Sequence, residues 1–241
     1  MFTRQGAKVL LVSRDRKNAE NVLSQINREG GEASFFAGDV SDNDACKRMV
    51  AAAVEAYGKL NILVNNVGIP GAVPSRVTDV EEDDWDMVMK VNLKSVMLTS
   101  KYAIPEMIKA GGGSIVNMSS LAGVQAAFTP IHHYSASKGG MMALSKSMAV
   151  HYGRDNIRVN CVIIGQVHTQ LVDNYISDEM RNMRRRSAPL GTEGYSWDVA
   201  WATVFLASDE TRWISGIDLP VDGGLLVTTP LSMYPHLKDP E

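Results

Sequence analysis

An α/β architecture, a mostly parallel sheet covered by helices on both faces, is predicted by three features of the sequence. Short β-branched, apolar runs alternate with longer helical patterns along the 241 residues. Apolar strands joined by helical crossovers make a sheet of this kind. Polar residues recur just past the ends of the apolar runs, the edge at which such sheets hold their ligands.

Lys8–Ser13 reads as the first buried strand, followed by a polar helix that ends near Gly30 and Gly31. Ala33–Ala37 is the second strand, and 42–57 a helix with Asp42 as its N-cap. Leu60–Asn65 is the third strand. A helical stretch covers about 80–109, and Pro105, which lacks an N–H, should kink or break it. Gly113–Met118 is the fourth strand, about 133–152 a helix, and Ile157–Ile163 the fifth strand. Helical patterns follow at 177–186 and 196–207, then a last strand at Ile217–Val221. Met141, Met142 and Met148 read as core. In the tail 225–241, Pro230, Pro235 and Pro240 argue against a helix. No internal repeat or low-complexity linker divides the chain.

The composition, 45% hydrophobic and 21% charged, is that of a soluble globule. A net charge of −3 provides no basic field to recruit nucleic acid. The apolar runs stop well short of the roughly 18 residues of a membrane span. No charged-then-apolar signal opens the chain. Cys46 and Cys161 lie far apart with no CxxC, which argues against a metal site and fits a reducing cytoplasm.

The chemistry centres on Tyr134-Ser135-Ala136-Ser137-Lys138. Spaced four apart on a helix, a phenol and an ammonium share one face. A cation beside a phenol favours the phenolate, so the pair is expected to lower the tyrosine pKa and make it a proton donor and acceptor for an alcohol oxygen. At the strand ends stand Asp39, Asn65–Gly68, Ser119 and Ser120, and 165–169, with Asn92 inside the long helix. Any one of these could be an ordinary cap or turn; five in phase at one sheet edge point to a ligand site.

These residues resemble the short-chain dehydrogenase/reductase family, in order, from about Gly6 to Gly224. The resemblance rests on Asn65-Asn66-Val67-Gly68, with Val67 where alanine is usual, on Val91-Asn92-Leu93, and on Asn117-Met118-Ser119-Ser120-Leu121-Ala122-Gly123. It continues through Tyr134 and Lys138, Arg158-Val159-Asn160, Phe205–Asp209 and Val221-Asp222-Gly223-Gly224. It implies one Rossmann-like, doubly wound domain over 1–224 and NAD(P)(H)-dependent interconversion of a secondary alcohol and a ketone by hydride transfer. Tyr134 would be the acid/base. Lys138 would lower its pKa and bind the nicotinamide ribose. Ser120, the second serine of its motif, would bond the reacting oxygen, and Asn92 would hold a water linking Lys138 to solvent. Asp39 and Asn66 would line the cofactor's adenosine side, Val40 and Gly68 would also bind the cofactor, and Val167 and Thr169 would contact the nicotinamide amide and nearby phosphate. A homotetramer or homodimer is implied, with the tail 225–241 at an interface. The interval from Ser120 to Tyr134 is one residue longer than is common, which would reshape the substrate-flanking loop 124–133.

The largest departure is the lack of a glycine-rich phosphate turn. About one strand–helix unit, on the order of 25–30 residues, is expected to be missing. Its strand would lie between Lys8–Ser13 and Leu60–Asn65, and its loss would leave backbone groups unpaired. A shortened reading frame is the favoured explanation; the other is a natural short protein whose sheet is repaired by rearrangement or by a second chain. Poor binding of nicotinamide dinucleotide by the 241 residues is expected. A rival reading is a catalytically silent binding or scaffold protein. Ile164-Gly165, where Pro-Gly is usual, would loosen the segment leading to the nicotinamide.

Ser13 and Arg14 close the first strand, and a hydroxyl and a guanidinium suit a 2′-phosphate, which favours NADP(H) over NAD(H) despite nearby Asp15. The segment 169–187 is expected to form a lid. Its Arg181, Arg184, Arg185 and Arg186 read either as an attraction for an anionic substrate or as a solvated face or subunit contact. His168 is the histidine expected to face substrate, ahead of His132 and His133.

Overall fold

The structure, a computed structural model, describes residues 1–169, 172 and 176–237. A short 3-10 turn (Phe2–Gln5) leads into β1 (Val9–Ser13), α1 (Arg16–Arg28), β2 (Ala33–Ala37), α2 (Asn43–Tyr57) and β3 (Ile62–Asn65). Then come α3 (Glu82–Met89), a π turn (Lys90–Lys94), α4 (Ser95–Lys109), β4 (Gly113–Ser120), α5 (His132–Tyr152) and β5 (Ile157–Ile164). The chain continues through β6 (Val167–His168), α6 (Asp178–Ser187), β7 (Gly194–Tyr195), α7 (Ser196–Ala207), β8 (Asp218–Val221) and α8 (Pro230–Leu237).

The parallel sheet is in two pieces. β3, β4, β5 and β8 pair in that order, β1 pairs only with β2, and β6 with β7 make a short ladder near the expected lid. Among the described residues no strand stands between β1 and β3. The central strands carry the core: Ile115, Val116, Val159 and Val162 have no exposed surface. Ile115, Val159 and Ile163 pack against Val96, Met107, Met141 and Met142 of α4 and α5. Val116, Met118 and Val162 pack against Leu206 and Ala207 of α7 on the other face. Cys46, Met49 and Val50 of α2, with Leu98 of α4, join the β1–β2 pair to β3 through Val12, Phe36 and Leu63.

Asp42 caps α2 as expected, its carboxylate accepting from Ala45 N at 2.6 Å. Pro105 does not break its helix, which continues to Lys109, and a π turn lies around Asn92. One expectation fails outright. The tail is helical over Pro230–Leu237. Pro230 takes the first helical position, where a missing N–H is no loss. Pro240 lies outside the described residues.

Candidate active site

Tyr134 and Lys138 occupy the first turns of α5, where it passes the ends of β3 and β4. Lys138 is buried; its Nζ donates to Met118 O at 2.6 Å and stands 5.7 Å from the centre of the Tyr134 ring. Ser120, the last residue of β4, lies beside Tyr134, near enough to pull the phenol pKa down, while its Oγ accepts from Ala122 N at 3.2 Å. Ser119 points away and donates to Lys138 O at 3.0 Å. The expectation that the ammonium lowers the phenol pKa is not met. Burial disfavours both charged forms, so Tyr134 sits above its ordinary value despite the Ser120 hydroxyl beside it, and Lys138 falls to about 8.

Asn92 is fully buried in the π turn. Its Oδ1 accepts from Ile69 N at 2.8 Å, and its Nδ2 donates to Ile69 O at 2.9 Å and Ser137 Oγ at 3.1 Å. The side chain is thus committed to fixing the loop after β3. A water link to Lys138 would have to use other atoms. A Cβ at Gly68 would stand 3.3 Å from Lys138 Nζ and 3.4 Å from Asn92 Oδ1, so glycine keeps the space over the ammonium open.

Beneath the site runs a buried polar chain that sequence reading missed, apart from Asn65 and Asn117 as motif members. Thr99 Oγ1 donates to Asn65 Oδ1, Asn65 Nδ2 to Asn117 Oδ1, and Asn117 Nδ2 to Ser145 Oγ, each at 2.7 Å. Ser145 Oγ then donates to Met141 O at 2.7 Å. The chain ties β3 and β4 to α4 and α5.

The adenosine end is different. Ser13 Oγ accepts from Asp15 N at 3.0 Å, and Asp39 Oδ1 accepts from Ser41 N at 2.8 Å, which holds the Asp39 pKa down. Arg14 is largely exposed, 3.6 Å from Asp39. Val40 turns inward onto the α2–α4 cluster, while Asn66 and Gly68 are exposed. Val167 is buried against Gly194, and its carbonyl accepts from Arg184 at 3.5 Å. Thr169 O accepts from Val172 N at 2.9 Å.

The lid residues are tied down. Arg181 makes a two-point contact with Glu193 at 2.7 and 2.5 Å, and Arg186 donates to His236 O of α8 at 3.2 Å. Arg185 bonds Asn182 at 2.9 Å. His168 Nδ1 lies 3.8 Å from Glu193, the carboxylate that also holds Arg181.

His133, expected as a plain helix-start residue, has no exposed surface, and its Nε2 is 3.2 Å from Asp84 Oδ2. Asp84 also accepts from Ala72 N at 3.0 Å. Gly71 (φ +100°) crosses His133 so closely that a Cβ would fall on its ring. Asp84 and His133 are 49 residues apart with no periodic relation, so nothing local in the sequence announces the pair.

The sequence and the fold are both similar to those of known proteins. A family profile described as enoyl-(acyl carrier protein) reductase matches residues 1–226. A 2,5-dichloro-2,5-cyclohexadiene-1,4-diol dehydrogenase of Sphingobium indicum is 36% identical over 225 residues, 92% of this chain and 88% of the relative. A short-chain type dehydrogenase/reductase of Sinorhizobium fredii is 34% identical over 229 residues, 94% of this chain and 90% of the relative. The chain belongs to the short-chain dehydrogenase/reductase family. The crystal structure of levodione reductase superposes on this short-chain dehydrogenase/reductase with a TM-score of 0.89 and 26% identity, over 93% of this chain and 90% of that one. The fold is therefore Rossmann-like, and the protein an oxidoreductase of a family that uses nicotinamide dinucleotides.

Proposed function

We propose that the chain interconverts a secondary alcohol and a ketone, with Tyr134 as the proton-transfer group, Ser120 and Lys138 beside it, and Asn92 positioning the loop above. The observation that carries this reading is Tyr134 beside Ser120 and one turn from the buried Lys138 ammonium, whose Nζ stands 5.7 Å from the centre of the phenol ring. The names of two similar proteins, a diol dehydrogenase and levodione reductase, fit an alcohol–ketone pair.

The residues present suit the nicotinamide-ribose end of a dinucleotide: Lys138 offers ammonium protons, and Gly68 leaves backbone space beside them. When bound, the dinucleotide supplies or accepts the hydride. Tyr134 Oη gives its proton to the substrate oxygen in reduction and takes it back in oxidation. The Ser120 hydroxyl donates to the same oxygen as negative charge develops on it. Burial keeps the phenol protonated at neutral pH, ready for reduction. Lys138, mostly protonated at pH 7 with its pKa near 8, would stabilise the phenolate formed. Asp39, Val40, Asn66, Val167 and Thr169 would contact the rest of the dinucleotide. Ser13 and Arg14 would favour a 2′-phosphate, hence NADP(H). The exposed Leu231 and Tyr234 of α8 suit a subunit contact in a homodimer or homotetramer.

The test is Tyr134→Phe, followed by absorbance of the reduced nicotinamide and by calorimetric titration of NADPH and NADH. Loss of turnover with retained dinucleotide binding is expected; unchanged turnover would sink the reading. A second reading, a silent binding protein, is favoured by the gap between β1 and β3, at which the phosphate turn of such folds begins. It requires that the unaltered chain bind neither dinucleotide at millimolar concentration.

A further inference from the structure

The first turns of α5 bear Tyr134 and Lys138, yet the start of this helix has no side-chain cap. Ile131 takes the N-cap position and bonds none of the first amides through its side chain. The hold comes from outside the helix. The loop after β3 runs along α5 from Lys138 back to Pro130. A Cβ at Gly68 would stand 3.3 Å from Lys138 Nζ, and one at Gly71 would fall on the His133 ring. Between them, both backbone groups of Ile69 are bonded by Asn92. Ser75 N donates to Pro130 O at 2.8 Å, and Ser75 pairs with Ile131 in an isolated parallel bridge.

Asp84 is where these ties meet. It lies in the first turn of α3, where the helix dipole favours a carboxylate. Its two oxygens accept from Ala72 N at 3.0 and 3.1 Å, and Oδ2 lies 3.2 Å from Nε2 of His133. One carboxylate therefore meets both the loop and the residue before Tyr134. His133 has no exposed surface, and among the described residues neither ring nitrogen has a hydrogen-bond partner. Buried polar atoms are seldom left so. The Asp84 carboxylate is the group brought to Nε2, off the line of a hydrogen bond. An apolar side chain would fill the same space without the cost of burying two ring nitrogens. Gly71, at φ +100°, has a backbone conformation that favours glycine, so the close approach to the ring is built into the loop.

We propose that Asp84 and His133 are positioning residues for Tyr134: the Asp84 carboxylate joins the loop 69–75 to the first turn of α5, and His133 passes that hold along the backbone to the phenol. The role rests on the reading of Tyr134 as the proton-transfer group. Neighbouring residues of a helix project about 100° apart. With His133 held between Gly71 and Asp84, Tyr134 is therefore aimed in one direction, that of Ser120. The same loop carries Gly68, so the space over the Lys138 ammonium and the direction of the phenol are set together. The proton transfer itself stays with Tyr134; neither Asp84 nor His133 takes the proton.

The test compares Asp84→Ala, Asp84→Asn and His133→Leu with the unaltered full chain. The Tyr134 phenol is titrated by NMR of tyrosine labelled with ¹³C at Cζ, its signal being the one absent from Tyr134→Phe. Amide hydrogen exchange is followed residue by residue. Burial holds the Tyr134 pKa above its ordinary value, so a loosened turn should bring the titration down in Asp84→Ala and His133→Leu. The Ser135 amide, which bonds Ile131 O, should exchange about tenfold or more faster in both, and the Ala72 amide in Asp84→Ala only. Amides of α2 and α7 should not change. Asp84→Asn keeps an acceptor for Ala72 N and brings an amide to His133 Nε2, so it should behave as the unaltered chain. With NADPH and cyclohexanone as the probe ketone, kcat should fall about tenfold or more in Asp84→Ala and His133→Leu, with KM for NADPH within about twofold. Lack of turnover by the unaltered chain would count against the proposed reaction; the titration and the exchange then still decide the positioning. Should His133→Leu not fold, Asp84→Ala is judged by the same criteria. The proposal is overturned if His133→Leu leaves the Tyr134 titration and the Ser135 exchange unchanged, because the histidine then only fills space. It is overturned if α2 and α7 loosen as much as α5, because the pair is then general packing. It is also overturned if Asp84→Asn is as impaired as Asp84→Ala.

Discussion

β4 and β5 are paired on both edges and buried on both faces, whereas β1 and β2 form a two-stranded outlier with half-buried side chains. The candidate site straddles this divide. Its chemical end, Ser120, Tyr134, Lys138 and Asn92, hangs on the buried half. Its recognition end, Ser13, Arg14 and Asp39, hangs on the outlier, held by surface contacts. The proposed proton-transfer group is therefore held by the core, while the proposed cofactor contacts hang on a two-stranded piece whose strands each have one free edge.

The contrast can be broken or sharpened by measurement. The largest effect is expected from Tyr134→Phe, which should cost about 10²–10⁴ in turnover with dinucleotide affinity unchanged. Next, Ile115→Ala in β4 should lower unfolding free energy by about 3 kcal/mol and Val12→Ala in β1 by only about 1 kcal/mol. Equal losses in urea titrations would erase the distinction between the halves. Asn92→Ala should cost about 2 kcal/mol, because three hydrogen bonds go and the Ile69 backbone groups lose their partner. Hydrogen exchange should find the loop after β3 loosened.

The buried ammonium gives a pH signature. Lys138 is near 8 in the folded chain and 10.5 unfolded, so the unfolded state binds more protons in between and stability rises with pH there. Cys46 and Cys161, raised from 9.0 to about 11, work in the opposite sense from about pH 8 upward. From pH 8 to 9 Lys138 contributes a gain of about 1 kcal/mol and the two thiols together a loss of about 0.7 kcal/mol. The Lys138 part is read as the difference in slope between the unaltered chain and Lys138→Met, which should lose stability over the same interval. The smallest effect belongs to Arg14→Ala: within about 0.5 kcal/mol of unaltered stability, since its pair with Asp39 is exposed, but with preference for NADP(H) over NAD(H) diminished in kinetic comparison.

The strands, the crossovers and the edge at which Ser120, Tyr134 and Lys138 converge were legible because apolar runs and helix spacing are local signals. The open position between β1 and β3 was legible too, from the absent glycine-rich turn. Pro105 misled because packing of α4 outweighs one lost hydrogen bond, and the tail prolines because Pro230 fits a helix start. The Tyr134 pKa was misjudged since charge proximity can be read from spacing, but burial cannot. His168 with Glu193 and His133 with Asp84 needed the tertiary fold, as their partners are remote in sequence.

The buried chain from Thr99 through Asn65 and Asn117 to Ser145 has a direction: each group gives its hydrogen to the next, ending at Met141 O. Such a series behaves like a row of one-way signs. Turning one amide alone sets two donors or two acceptors against each other where Asn65 meets Asn117, whereas the hydroxyls of Thr99 and Ser145 can switch roles, so the two amides turn together or not at all. Evolution can hardly edit it one letter at a time. The row thereby holds β3, β4 and the helix bearing Tyr134 in one mutual register, a constraint from which the outlier pair β1–β2 is exempt.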